Sequence, residues 1–165
     1  MKKRFLMLVI FCFSILVGCT LGNTPTSKAE DLLSKYQMLD DDISVSYSNL
    51  TTDTGLSQDL RARYEELVRK QYRNLSYEVK EEEIDGDTAI VTVQIEVMDY
   101  KTIIYKYDNS DYTQERYHEL VLDDLESAKE KITYTIRFNL SKDDDDMWQV
   151  DDLSTTDREK LLGIN

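Results

Sequence analysis

The chain has 165 residues, 41 % of them hydrophobic and 10 % aromatic, enough for one domain with a real core and too apolar for wholesale disorder. Twenty Lys+Arg stand against 33 Asp+Glu, a formal charge of −13. No basic cluster lies beyond the first four residues, which excludes nucleic acid as a partner.

Lys2, Lys3 and Arg4 precede 13 uncharged residues, Phe5 to Val17, the layout of a secretory signal. That run is short of the roughly 20 residues a membrane span needs. Counting on to Leu21 gives 17, so an uncleaved anchor is the lesser alternative. Leu16-Val17-Gly18-Cys19 resembles the bacterial lipobox. The resemblance implies diacylglyceryl transfer to the Cys19 thiol and cleavage just before it. The bland alternative is an ordinary signal peptide cut nearby, leaving a free thiol.

The expected organisation is a lipoprotein signal peptide over 1–18, a tether over 19–26 and a single domain over 27–165. Cys12 leaves with the signal, so no disulfide staples the mature domain. Losing three basic residues takes the formal charge from −13 to −16. An anionic bilayer repels such a domain, so the lipid must do the anchoring. The eight residues after Cys19, "TLGNTPTS", reach roughly 26 Å when fully extended.

Ser27 and Glu30 have capping-box spacing after Pro25. Ala29, Leu32, Leu33, Tyr36, Leu39, Ile43, Tyr47 and Leu50 then mark one face of a long helix, with "LDDDIS" a possible kink or end. Ser57 caps a second helix carrying Leu60, Tyr64, Leu67, Val68 and Tyr72. From Leu75 the period drops to two. Tyr77 and Val79 lead into an Asp85-Gly86 hairpin turn, and Ala89, Val91, Val93, Ile95 and Val97 return. The half-polar alternation predicts an antiparallel sheet.

Tyr100 to Asp108 is read as an extension of that strand past a bend, and Tyr112 to Lys131 as a third helix. On that helix Tyr117, Leu120, Val121, Leu125 and Ala128 share a side. Ile132, Tyr134, Ile136, Phe138 and Leu140 form the clearest strand. "SKDDDD" turns the chain so that Trp148 and Val150 pair back against the core. Thr156 and Glu159 cap a last short helix ending at Gly163.

This order predicts an α+β fold, a curved antiparallel sheet with the N-terminal helices packed on one face. "TPTSKAEDLLSKYQMLDDDI", "EEEIDGDTAIVTVQIEVMDY" and "KITYTIRFNLSKDDDDMWQVDDLS" resemble bacterial lipoproteins of cystatin-like or NTF2-like fold, a family without a characterised activity. The resemblance implies a fold and a place at the extracytoplasmic face of the cell membrane, and no reaction.

Asp143 to Asp146 lacks the glycine that an EF-hand loop needs, because its sixth position is Trp148. The run reads as a solvated hairpin tip, and no metal or other cofactor is expected. His118, the one histidine, reads as a surface residue of its helix. Asp99 beside Tyr100 is the best available acid–base pair for an isomerase- or cyclase-like alternative. Tyr100, Tyr105, Tyr107, Tyr112 and Tyr117 crowd into 18 residues. Amphipathic aromatics with few basic neighbours suit a surface for an envelope protein or glycan. The expected function is therefore a lipid-anchored, non-enzymatic binding or interaction module, with Tyr100, Tyr105, Tyr107 and Tyr112 as its candidate partner surface.

Overall fold

The computed structural model describes residues 22–107 and 112–165; the expected signal peptide and Cys19 lie outside them. Helix α1 spans Pro25–Met38, a 3-10 turn Tyr47–Asn49, and α2 Gln58–Arg73. Strands β1 (Ser76–Asp85) and β2 (Thr88–Met98) follow, then the short α3 (Lys101–Ile104) and α4 (Gln114–Ser127). Strands β3 (Lys131–Lys142) and β4 (Trp148–Val150) and helix α5 (Thr155–Leu162) complete the chain. The strands form one antiparallel sheet in the order β1-β2-β3-β4.

One sheet face is covered and the other is wet. Val91, Val93, Ile95 and Val97 of β2 and Ile136, Phe138 and Leu140 of β3 are buried, whereas Thr133, Thr135, Arg137 and Asn139 are exposed. Helices α1, α2 and α5 fill the covered side with Leu33, Leu60, Leu67, Val68 and Leu161. The edge-to-face pair Tyr36–Tyr72, with centroids 4.9 Å apart, joins α1 to α2. Beneath the helices the sheet face is therefore shielded from solvent. The β1–β2 hairpin closes one position later than expected, with Gly86 and Asp87 as its two loop residues.

Several expected boundaries move for identifiable reasons. The first capping box is Thr24 with Ser27, because Pro25 occupies the first helical position. Helix α1 stops where Leu39 turns left-handed at φ 55°, and Leu50 reaches the core from a separate 3-10 turn. The strand expected to continue from Tyr100 is instead α3. Its first turn is held by Gly163 O, which accepts from the backbone N–H groups of Tyr100 and Lys101 at 3.0 and 2.8 Å. Ser154, not Thr156, caps α5, through a bond from Asp157 N–H to its Oγ.

Gly163 closes α5 at φ +70°, where a Cβ would collide with the Met98 carbonyl oxygen and lie 2.6 Å from Gln71 Nε2. Gly86 has a similar φ of +60° and nothing within 4 Å. Gly86→Ala should therefore cost only left-handed strain, about 1 kcal/mol. Gly163→Ala adds a clash with backbone and should cost at least ~2 kcal/mol. Urea denaturation of the two variants compares them directly, and equal losses would contradict this packing.

Candidate functional site

The long connection between α1 and α2 does not hang free. Arg61 Nε donates to Leu56 O at 2.8 Å, and its guanidinium lies over the Tyr47 ring, 5.6 Å from the centroid. Asp53 ties the same connection to α4. Its Oδ1 accepts from Gly55 N–H at 2.8 Å, and its Oδ2 accepts from His118 Nε2 at 3.1 Å and from Gln114 Nε2. The Gly55 N–H first, then His118 and Gln114, hold the Asp53 carboxyl below the usual carboxylate range.

His118 is only 3 % exposed, which corrects its reading as a surface residue. It lies on the buried stripe of α4 with Val121, Leu122 and Leu125. With Nε2–H donated to Asp53, Nδ1 is left to accept from the Tyr64 hydroxyl at 2.8 Å. Both ring nitrogens are thus engaged. In this arrangement His118 links α2, α4 and the loop, and presents no nitrogen to a ligand.

Between these elements lies an open cleft. One part, about 600 Å³, is bordered by Asn49 and Thr51 of the loop, Ile104 of α3 and Tyr105 just after it, Tyr117 of α4, and Arg158 of α5. A second part, about 620 Å³, continues past Asp53, Tyr112 and Gln114. The two share Thr51, Thr52, Tyr117 and His118. Tyrosine rings, threonine hydroxyls, the Asn49 amide and a guanidinium line one continuous surface. Arg158 makes no ion pair among the described residues. Such a lining recognises ligands that offer both an apolar face and several hydrogen-bonding groups.

The four expected partner-surface tyrosines separate. Tyr105 is 76 % exposed and Tyr112 41 %, and both line the cleft. Tyr107 is half-buried, donates to Asp124 Oδ2 at 2.8 Å and meets Tyr112 edge-on. Tyr100 is fully buried, so its side chain is not part of any surface. Its hydroxyl has no hydrogen-bond partner among the described residues, and burial pushes its pKa up to about 12. Asp99 accepts from Thr102 N–H and Oγ1 at the start of α3. Of the pair written for acid–base chemistry, Asp99 is engaged by Thr102, and no hydrogen bond joins it to the Tyr100 hydroxyl. Asp143 to Asp146 form an exposed turn in which Asp143 accepts from Asp145 N–H and Met147 N–H.

The sequence reading singled out neither Asp53 nor Arg158, took Tyr64 only as part of the apolar face of its helix, and put His118 at the surface. A signal was present for one of them: residues 118, 121, 122 and 125 have the i, i+3, i+4, i+7 spacing of a buried helix face.

No protein-family model matches the chain, and no curated protein sequence matches it. A solved structure with some likeness is that of a "putative lipoprotein" (ycdA) from Bacillus subtilis, at 18 % identity and a TM-score of 0.42. The match covers 81 % of this chain and 45 % of that one, so this chain spans less than half of that structure. A likeness of that size fixes neither family nor function. No helix among the described residues is long and apolar enough to cross a membrane.

A carboxyl whose folded pKa is depressed contributes stability above its unfolded pKa and loses it as pH falls through the folded value. For Asp53 that loss falls below pH ~4, the unperturbed carboxylate value. Asp53→Asn should therefore lose less stability than wild type between pH about 5 and about 3. Urea midpoints across that range provide the measurement, and parallel curves would show that the Asp53 contacts do not favour its ionised form.

Proposed function

We propose that the chain is a lipid-anchored, non-enzymatic binding module of the extracytoplasmic face, held to the cell membrane through Cys19 and taking an envelope glycan in the cleft. The single observation that carries the ligand reading is the continuous cleft with Tyr105, Tyr112 and Tyr117 on its walls. Sugar rings present apolar faces that stack on such rings, and hydroxyls that Asn49, Thr51, Thr52 and Arg158 are placed to bond. The anchoring reading is supported by the Leu16-Val17-Gly18-Cys19 motif behind its basic and apolar leader. A four-stranded sheet backed by helices on one face suits a cystatin-like or NTF2-like scaffold. The competing reading, a pocket enzyme on that scaffold, finds less support: the covered sheet face is buried beneath the helices and Asp99 is engaged at the start of α3.

Tyr105 makes the cleaner test because its ring is largely exposed, so removing it does not open the core. Binding of the detergent-purified protein to solubilised envelope glycan should weaken by roughly tenfold in Tyr105→Ala, the value of one lost aromatic contact. Undiminished binding would remove the cleft as the site. In cells, Cys19→Ala should release the domain or leave an unprocessed precursor. A mature-sized variant still in the membrane fraction would contradict lipid anchoring.

A further inference from the structure

The first described residues show where the tether leaves the domain. Asn23 is pinned to the β3–β4 turn: its Oδ1 accepts from Trp148 N–H at 2.9 Å and its Nδ2 donates to Asp146 O at 3.2 Å. Thr26 donates from both N–H and Oγ1 to Glu82 of β1, at 2.9 and 2.7 Å. The β1–β2 turn lies at the same end, because Lys142 N–H donates to Asp87 O at 3.0 Å. The root of the tether is therefore the double-hairpin end of the sheet. Only three residue steps separate Cys19 from Gly22, at most about 11 Å of chain, against the roughly 26 Å expected for a fully free tether.

The cleft lies at the other end. Strand β2 leaves the hairpin at Thr88 and finishes at Met98, ten steps or roughly 34 Å away. Met98 leads directly into Tyr100 and α3, whose following residue Tyr105 lines the cleft. Leu162 and Ile164, on either side of Gly163, line it too, and Gly163 holds the first turn of α3.

We propose that the domain stands on the bilayer by its double-hairpin end and presents the cleft about 3 nm farther out, to a water-borne or wall-bound glycan and not to lipid. This rests on the anchoring and cleft-binding readings above and adds direction to them. Two constraints impose the upright pose. The tether is too short for the domain to turn over and bring its far end to the surface. Lying flat would bring more of an acidic domain within the Debye length of an anionic headgroup layer, about 8–10 Å. The carboxylates of the hairpin tips, Asp85, Asp87 and Asp143 to Asp146, stay near the lipid in either pose because the tether roots there, so their repulsion draws the tether taut and the rest of the acidic domain is driven outward.

The test uses the full chain, processed and lipidated in cells, then reconstituted into vesicles of mixed phosphatidylglycerol and phosphatidylethanolamine. With the Cys19 thiol occupied by lipid, a single introduced cysteine takes a donor fluorophore, either Asp144→Cys at the hairpin end or Lys101→Cys at the far end; both side chains are exposed. Vesicle flotation confirms attachment, and energy transfer to a headgroup acceptor reads height. The expected result is flotation of both variants, with transfer several-fold more efficient from position 144 than from 101. Equal transfer would mean that the domain lies flat, and stronger transfer from 101 that it is inverted; either overturns the proposal while leaving anchoring intact. Failure to float overturns the anchoring reading and the orientation with it.

Discussion

The structure turns on a buried glutamine. Gln71 of α2 has no exposed surface, yet three of its hydrogen bonds go to main chain. Its Nε2 donates to Met98 O at 2.9 Å and Leu162 O at 2.7 Å, and its Oε1 accepts from Met98 N–H at 3.0 Å. One side chain thus joins the second helix, the end of β2 and the C-terminus of α5. Without it, main-chain groups would be stranded in the core at a cost of about 1–3 kcal/mol each. The left-handed Gly163 beside it lets α5 approach closely enough for its carbonyl to seat the first turn of α3. The positions of Tyr105, Arg158 and Ile164, and so the shape of the cleft, follow from this junction.

The same strands set the relation between the two ends of the molecule. The long pairing of β2 with β3, from Thr88 opposite Ser141 to Met98 opposite Lys131, makes a stiff spacer. One end carries Asn23 and the first described residues, and the other the cleft. The wet face between them carries Thr133, Thr135, Arg137 and Asn139 and needs no cover. Two further links tighten the cleft end: the Asp53–His118–Tyr64 chain, and Arg61 beneath the loop. A loop of this length is usually functional when it is ordered by such specific contacts. Here it forms one wall of the candidate site.

What could be read in advance was what depends on local chemistry. The alternation from Ile132 to Leu140, the Ser57 cap, the turn at Gly86 and the stop at Gly163 all rest on patterns confined to a few residues. The first helix misled because Ile43, Tyr47 and Leu50 keep roughly helical spacing beyond Leu39, although the backbone reverses there. Tyr100 misled through company: it stands among exposed tyrosines, but docking of α3 onto Gly163 carries it into the core. The Gln71 junction and the Asn23 clip were not legible at all. Each joins residues far apart in the chain, 91 positions for Gln71–Leu162 and 125 for Asn23–Trp148, and polar side chains carry no periodicity that announces such partners.

The central claim is that the ligand surface is the cleft at the far end of the sheet. Backbone amide shifts of isotopically labelled protein, recorded while solubilised envelope glycan is added, test it most directly. The account predicts saturable shifts at Asn49, Thr51, Thr52, Tyr105, Tyr117 and Arg158, with Gly86, Asp87 and Asp144 unmoved. Shifts confined to the hairpin end or the wet sheet face, or none at saturating glycan, would contradict it.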